Sequence, residues 1–508
     1  MTQHAHDWLA RWAYYTPDKL FLREHVSDRS WTYGQFNEAS RRCASYLQQE
    51  MQLSRGDRLA IYSRNRMEYF MLYFAAIKLG VILVPLNFRL TPVELDVLLS
   101  DAEPQLIVFE EDYSDQVDML DSLPENCQQV GVESFSPLLA VDENALAIEF
   151  FNAEINSEDL VMILYTAGTT GVPKGAMISH KMLFWNSVNT ALRLNINSSD
   201  HTQAYAPLFH TGGWNVLFTP FLQHGASHTI LESFDPDLIL ELIEKERSTI
   251  LFGVPTMMQM LADSPRFEST DLSSIRYAIV GGAPMPIPLI ETWHEKDIPI
   301  RQGYGLTEVG PNCFSLNQDA AISKQGSIGF PNFYMDACVM SESGEEVGID
   351  KTGELCLRSP VVTPGYWRKP VETNKAITDG WFHTGDMARK DQDGYFYIVD
   401  RKKNMFISGG ENVYPAEVEA TLIQHTDVID AAVIGIPDER WGEVGLAFLV
   451  TKRPLEIGEV REFCLKSLAK YKTPKQVCLI DSLPLNGAGK LDRKQLIEMY
   501  EQAKEIQK

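Results

Sequence analysis

Cysteine is scarce in this chain and never closely paired. Seven residues of 508, at positions 43, 127, 313, 338, 356, 464 and 478, include no C-x-x-C and leave an odd count. That pattern suggests neither a disulfide framework nor a zinc site, and reduced thiols in a cytoplasmic protein fit best. An excess of positive charge is missing too. The net charge of −24 argues against nucleic acid or an anionic membrane as partner, because phosphate surfaces attract basic faces. The deficit lies before residue 401, since Arg401 to Lys508 holds 16 Lys and Arg against 16 Asp and Glu. That last stretch can approach an anionic ligand with less repulsion.

An uninterrupted apolar run of membrane length is also absent. The most apolar segment, YFMLYFAAIKLGVILVPL (Tyr69 to Leu86), carries Lys78 in its middle and then Gly80 and Pro85. It reads as a buried helix, a glycine turn and a buried strand, not as an integral membrane segment. MTQHAHDWLARW contains no apolar core of a secretory signal.

What is present is the composition of a soluble globular enzyme, 44% hydrophobic and 22% charged, in a chain too long for one core. Short β-rich runs followed by Gly or Pro and then a helical stretch recur: VMILYT, QAYAPLF, TILFGV and RYAIVGGAP. The alternation predicts α/β layers with largely parallel strands, whose ligands bind where strands end. After about residue 340, GELCLRSP and GYFYIVD read as a smaller β-rich piece. From Arg401 a helix, two strands, a helix near Val460 to Ala469 and a strand at QVCLID predict a compact α+β domain. The boundary falls in the polar run DRKKN, 400–404, giving domains 1–400 and 401–508.

The stretch LYTAGTTGVPKGAMISH, Leu164 to His180, is rich in Gly and Thr and reaches a single Lys. The pattern G-x-x-x-x-G-K-[ST] fails here, because Pro173 stands where the second Gly belongs and Gly175 follows Lys174. The physics of the loop survives. Gly168 and Gly171, with Ala167 before them, allow backbone N–H groups to converge. Thr166, Thr169 and Thr170 add hydroxyls, Lys174 adds a charge, and the whole suits the outer phosphates of a nucleotide. An ordinary strand-to-helix turn is the competing reading. Further along stand RQGYGLTE (Arg301 to Glu308), HTGD (His383 to Asp386), ISGGENVYP and PLNGAGKLDRK with Lys490.

In this order and at these separations the fragments resemble the adenylate-forming superfamily, which includes acyl-CoA synthetases, luciferases and the adenylation domains of peptide synthetases. The resemblance runs from the RSWTYGQFNEASRRCASYL segment to Lys490. It implies an α/β fold with a large N-terminal region of two α/β sheet subdomains plus a β-rich subdomain, and a small mobile α+β C-terminal lid. It also implies an ATP-dependent ligase that forms an acyl-adenylate and then a thioester, with ATP, Mg²⁺ and CoA.

By the same resemblance Lys490 bridges the attacking carboxylate and the α-phosphate, while Thr166 to Gly171 and Lys174 hold the departing phosphates. Glu308 ligates Mg²⁺ and Thr307 bonds near the α-phosphate. Gly281, Gly282, Ala283, Gly303, Tyr304 and Gly305 frame the adenine, and Asp386 and Arg401 hold the ribose. Lys403 is the hinge, with Ser408, Gly409 and Gly410 beside a pantetheine tunnel; Lys402 is a candidate for the CoA phosphates. His210 closes over the carboxylate, and with Trp214 and Gly282 it lines the acyl pocket.

The stretch Pro207 to Phe218 holds no acid where amino-acid-activating relatives carry an Asp, so a free amino acid is not expected. Trp214, Phe218 and FGVPTMMQML suggest an apolar pocket for a medium- or long-chain fatty acid, with an aromatic acid as alternative. A carrier protein as acyl acceptor, and a homodimer, stay open.

Overall fold

The helix Met67–Leu79 shows how this sequence builds its interior. All of its residues are buried, so the one-sided pattern of a surface helix is missing. Its single cation, Lys78, donates to Asp7 Oδ2 at 2.6 Å and Asn37 Oδ1 at 2.8 Å, and that pairing makes a buried ammonium tolerable. Gly80 stops the helix at φ +70°, a left-handed conformation that glycine adopts without strain. The strand Ile82–Leu86 follows, wholly buried. No described helix is long and apolar enough to cross a membrane.

The structure is a computed structural model that describes residues 6–140, 152–166, 173–409, 411–486 and 490–506. Its chain packs into two compact units, Met1–Ala337 with Leu357–Phe382, and Cys338–Cys356 with His383–Lys508.

The first unit holds three β-layers. One sheet runs in the order Gln128–Gly131, Leu106–Phe109, Arg58–Tyr62, Ile82–Leu86, Leu160–Thr166 and Lys174–Ser179. Its pairs are parallel except the last, which is antiparallel. A second sheet orders Ser30–Thr32, Leu20–Glu24, Ser227–Ile230 and His201–Ala204. In the third layer Ile250–Gly253, Tyr277–Val280 and Ile300–Leu306 are parallel. Gly310–Ser315 and Ser327–Pro331 then continue it antiparallel. The expectation of parallel strands thus holds in the middle of the layers and gives way at their edges, where consecutive strands return through short loops.

The strand Trp381–Lys390 enters the second unit at His383 and pairs antiparallel there with Phe396–Arg401. A separate sheet is built on the long hairpin of Val428–Asp438 and Gly442–Thr451, with Phe406–Ser408 and Gln476–Leu479 both on the other edge of the latter strand, the first at Gly442 and the second along Leu446 to Leu449. Helices Pro415–Leu422 and Ile457–Cys464 bury Val418, Leu422, Val460 and Cys464 against it. The mixed α/β fold is the one the sequence predicts, with the extra helix Arg493–Ile506 at the end.

Candidate active site

The three parallel strands of the third layer end together on glycines. Gly281, just past Tyr277–Val280, donates its N–H to Gly253 O at 3.3 Å. A Cβ built on Gly281 would lie 3.5 Å from Gly303 O, and one on Gly282 would lie 3.4 Å from Val254 Cγ1. Gly282 sits at φ +84°, and it and Ala283 are exposed. This is the carboxyl edge of an α/β layer, where side chains have been pared away and a flat ligand can approach backbone. Tyr304 is half-buried on the neighbouring strand, its ring 5.8 Å from that of Phe314. Gly305 is required by contact: a Cβ there would stand 2.3 Å from Gly310 O.

The strand Ile300–Leu306 runs into a short turn, Thr307–Val309, which delivers Glu308. Its Oε1 accepts a hydrogen bond from the Tyr366 hydroxyl at 3.0 Å and a long one from Thr166 Oγ1 at 3.5 Å. Thr166 and Lys174 are register partners in the antiparallel pair of Leu160–Thr166 and Lys174–Ser179. The Gly/Thr stretch therefore connects two strands of a hairpin, which corrects the strand-to-helix alternative; the helix His180–Leu194 starts only after the second strand. Lys174 Nζ lies 5.1 Å from the Tyr366 ring centroid. The expected phosphate-loop residues Ala167, Gly168, Thr169, Thr170 and Gly171, like Gly410 of the expected tunnel, lie outside the described residues.

In the second unit Asp386 and Arg401 face each other in register across two strands, with Arg401 Nε 2.5 Å from Asp386 Oδ1. Asp386 is almost fully buried while Arg401 is exposed. Lys490 is exposed too, yet desolvation by surrounding protein, and then Arg401, draw its pKa below the ordinary lysine value, with Asp386 opposing. The three side chains thus share one electrostatic environment. Asp400 Oδ1 accepts from Arg401 N at 2.6 Å and Asn404 Nδ2 at 3.0 Å, and its Oδ2 accepts from Ala416 N at 2.7 Å. One buried carboxylate thus ties the 400–404 turn to the first turn of helix Pro415–Leu422. Burial, then Arg401 and Arg493, lower the pKa of Lys403. Ser408 is buried and Gly409 stands at φ +63°, donating its N–H to Trp441 O at 2.8 Å.

The expected acyl-pocket residues divide. His210 is exposed, its ring centroid 4.4 Å from that of Phe209. Trp214 is not on a surface at all. It is fully enclosed by Tyr69, Phe70, Tyr73 and Phe218, with ring centroids 4.6 to 5.9 Å away, and its Nε1 donates to Leu208 O at 2.5 Å. Met258 is fully buried in the core as well. Trp214, Phe218 and Met258 fill the interior, while Phe252 and Val254, from the expected run FGVPTMMQML, stand beside Gly212 and Gly282, and Met260 of that run is exposed.

Two groups were missed by sequence reading. Tyr366, in the stretch VVTPGYW, reaches Glu308 only because that stretch folds alongside the strand beginning at Lys174. Trp441 covers Gly409, with Arg440 Cζ 5.0 Å and Lys475 Nζ 4.8 Å from its ring centroid. The sole sequence signal was the RW pair in a polar turn.

Comparison with known proteins follows the same outline. The AMP-binding enzyme family matches residues 9–367, and the AMP-binding enzyme C-terminal domain matches residues 417–490. Feruloyl-CoA synthase from Amycolatopsis is 40% identical over 441 residues, 86% of this chain and 87% of its own. A long-chain-fatty-acid–CoA ligase from Mycobacterium tuberculosis is 34% identical over 489 residues, 94% of each chain. The solved structure of o-succinylbenzoate coenzyme A synthetase from Bacillus subtilis, in complex with ATP and magnesium, has a TM-score of 0.87 at 31% identity, covering 96% of this chain and 98% of that one.

Proposed function

Because the chain belongs to the AMP-binding enzyme family and is an AMP-forming acid–CoA ligase, we propose that its acid is a hydrophobic carboxylate without an ammonium group, an aryl or arylalkenyl acid before a fatty one. The observation that carries this is the placement of Trp214 and Met258 in the core. It takes two of the large side chains expected at the acyl pocket out of reach and leaves Phe252 and Val254, from the same expected run, beside bare glycines. The 40% identity to feruloyl-CoA synthase points the same way. A medium- or long-chain fatty acid is the second reading, favoured by the exposed, unobstructed Gly282 and by the fatty-acid relative.

The chemistry has two steps. A carboxylate oxygen attacks the α-phosphorus of ATP, the bond to the bridging oxygen breaks, and pyrophosphate leaves with the electron pair. The CoA sulfur then attacks the acyl carbon, AMP leaves, and the thiol proton passes to solvent. The first step joins two anions, so fixed positive charge and donors matter most. In the first unit Lys174 and Thr166 hold the outgoing phosphates, Thr307 bonds near the α-phosphate, and Tyr304 with Gly281 to Ala283 and Gly303 frames the base. His210 closes over the carboxylate. In the second unit Asp386 and Arg401 take the ribose hydroxyls, and Lys490 neutralises the attacking carboxylate and the α-phosphate.

Adenylate-forming ligases use Mg²⁺, and the donor set here suits it. Glu308 is a half-buried carboxylate with neutral hydroxyl donors and, among the described residues, no cationic side chain within ion-pair distance. A hard cation such as Mg²⁺ can be held by one carboxylate together with water and phosphate oxygens. Bound there, the ion neutralises phosphate charge.

Residues 401–508 act as a lid that turns about Lys403, bringing Ser408 and Gly409 into use for the thiol step. Trp441, Arg440 and Lys475 offer a ring and two cations to the nucleotide end of CoA. A panel of hydroxycinnamates, benzoates and C8 to C16 fatty acids, with ATP and CoA, tests the reading through AMP and thioester measured together. The hydroxycinnamates should give the highest kcat/KM; a fatty acid exceeding them all overturns the preference.

A further inference from the structure

We infer that Tyr366 is a positioning residue for adenylation, which keeps the cation-binding carboxylate Glu308 and the phosphate-binding ammonium Lys174 apart and separately aimed. The inference rests on the roles proposed above for those two residues and adds a third that neither the motifs nor the comparisons assign.

Glu308 and Lys174 are opposite charges on neighbouring elements, both half-buried. Left to themselves, such groups pair. A direct ion pair would neutralise the ammonium needed for phosphate and occupy the carboxylate needed for a metal. Among the described residues no such pair forms, and Tyr366 contacts both partners in chemically different ways. Its hydroxyl donates to Glu308 Oε1 at 3.0 Å, and its ring face takes Lys174 Nζ at 5.1 Å from the centroid. Oε1 is also the oxygen that Thr166 approaches. Tyr366 thus bonds one carboxylate oxygen, with Thr166 Oγ1 shared between that oxygen at 3.5 Å and Lys174 O at 3.4 Å, and no donor among the described residues bonds Oε2, which stays available to a cation. The hydrogen bond fixes the carboxylate without cancelling its charge, and the π-face steadies the ammonium without doing so.

The backbone holds Tyr366 firmly enough for this task. Met177 N donates to Gly365 O at 3.0 Å and Trp367 N to Gly175 O at 2.8 Å, so residues 365–367 form a short antiparallel ladder on the strand that begins at Lys174. Thr363 N donates to Glu308 O at 2.7 Å, and the Thr363 hydroxyl donates to Met177 O at 2.6 Å. Tyr366 N is held by Thr373 Oγ1 at 2.9 Å. Gly365 sits at φ +141°, and a Cβ there would fall 2.5 Å from Thr373 Cγ2. The segment is thus stitched to the backbones that carry both charged residues.

The test compares Tyr366→Phe, Tyr366→Leu and Glu308→Gln in the full-length enzyme. Mn²⁺ replaces Mg²⁺, and its binding with a non-hydrolysable ATP analogue is followed by electron paramagnetic resonance, with AMP binding in EDTA measured by calorimetry. Tyr366→Phe should weaken metal–nucleotide binding roughly tenfold, the loss of one charge-assisted hydrogen bond, and leave metal-free AMP binding within about twofold. Tyr366→Leu should lose a further factor of roughly three with the cation–π contact. Metal–nucleotide binding by Tyr366→Phe equal to that of the wild type overturns the inference. So does a parallel fall of metal-dependent binding, metal-free binding and melting temperature, which would mark a merely structural role. An unshifted Glu308→Gln would overturn the reading of Glu308 itself, whereas a shifted Glu308→Gln beside an unshifted Tyr366→Phe sinks the Tyr366 role alone.

Discussion

Replacing Gly409 with alanine should separate the two half-reactions, and the size of the effect follows from its surroundings. At φ +63° an L-residue pays about 1 kcal/mol or more that glycine does not. The new Cβ would lie 2.8 Å from Trp441 Cε3 and 3.2 Å from Cζ3, where carbon contacts prefer about 3.5 to 4 Å. The backbone cannot retreat freely, because the Gly409 N–H is bonded to Trp441 O at 2.8 Å. The indole must therefore turn, at a cost on the order of 1 kcal/mol. Together the terms come to about 2 kcal/mol against the arrangement that offers Trp441 and the glycine turn to CoA. That corresponds to roughly a thirtyfold slowing of thioester formation.

Adenylation draws on no atom of this turn and should stay within about twofold. Two single-turnover experiments read the difference: pyrophosphate release from enzyme, acid and ATP, and thioester formation from supplied acyl-adenylate and CoA. Equal slowing of both would refute the reasoning, as would an unaffected thiol step.

Lys490→Ala should abolish acyl-adenylate formation yet largely spare thioester formation from supplied acyl-adenylate, and equal loss in both assays would count against its role. Since the folded protein lowers the Lys490 pKa, adenylation should fall on the alkaline side earlier than the ordinary lysine value of 10.5 would give. The same shift disfavours the charged form in the fold. Its stability cost is present at neutral pH and disappears as pH rises through the lowered value toward the unfolded one. His228 is fully enclosed, its ring centroid 5.0 Å from those of Phe218 and Phe221. Burial, then His201, lower its pKa from 6.5 to about 3, against a weaker pull from the Phe218 backbone. Being depressed, it contributes stability above pH 6.5 that is lost toward pH 3, at about 1.4 kcal/mol per pH unit. Urea unfolding of His228→Leu should show a flatter acid limb; an unchanged slope refutes it. Asp400→Ala strips three donors of one acceptor and should cost about 2 to 3 kcal/mol, seen as a lower urea midpoint; an unmoved midpoint would show the turn to be held otherwise.

Much of the fold could be read from local pattern. LVMILYT, LFG before PTMMQMLA, and YAIV before Gly281 are strands where apolar runs and punctuation put them. The segment around Lys78 reads correctly because a charge, a glycine and a proline interrupt it at places a membrane span would not tolerate. Legibility stops where a feature depends on distant strands. Nothing in PGYW announces that Tyr366 will meet Glu308, since only the ladder on Gly175 to Met177 brings it there. Trp214 looks like a pocket wall by composition and becomes core because helix Met67–Leu79 presents three aromatic rings to it. The hairpin of Leu160–Thr166 and Lys174–Ser179 is illegible for a related reason: a Gly/Thr loop followed closely by a helix looks the same whether one strand or two precede that helix.

Connectivity between the two units carries a practical consequence. The backbone leaves the first unit after Ala337, returns at Leu357, and leaves again after Phe382. Three crossings mean that no single protease cut can release either part intact. A fragment ending at Phe382 would carry Cys338, Leu355 and Cys356, all buried in the whole protein, without residues 383–508. Such a truncation should aggregate through these bared side chains, and half-reactions are better dissected by point substitution than by dividing the gene.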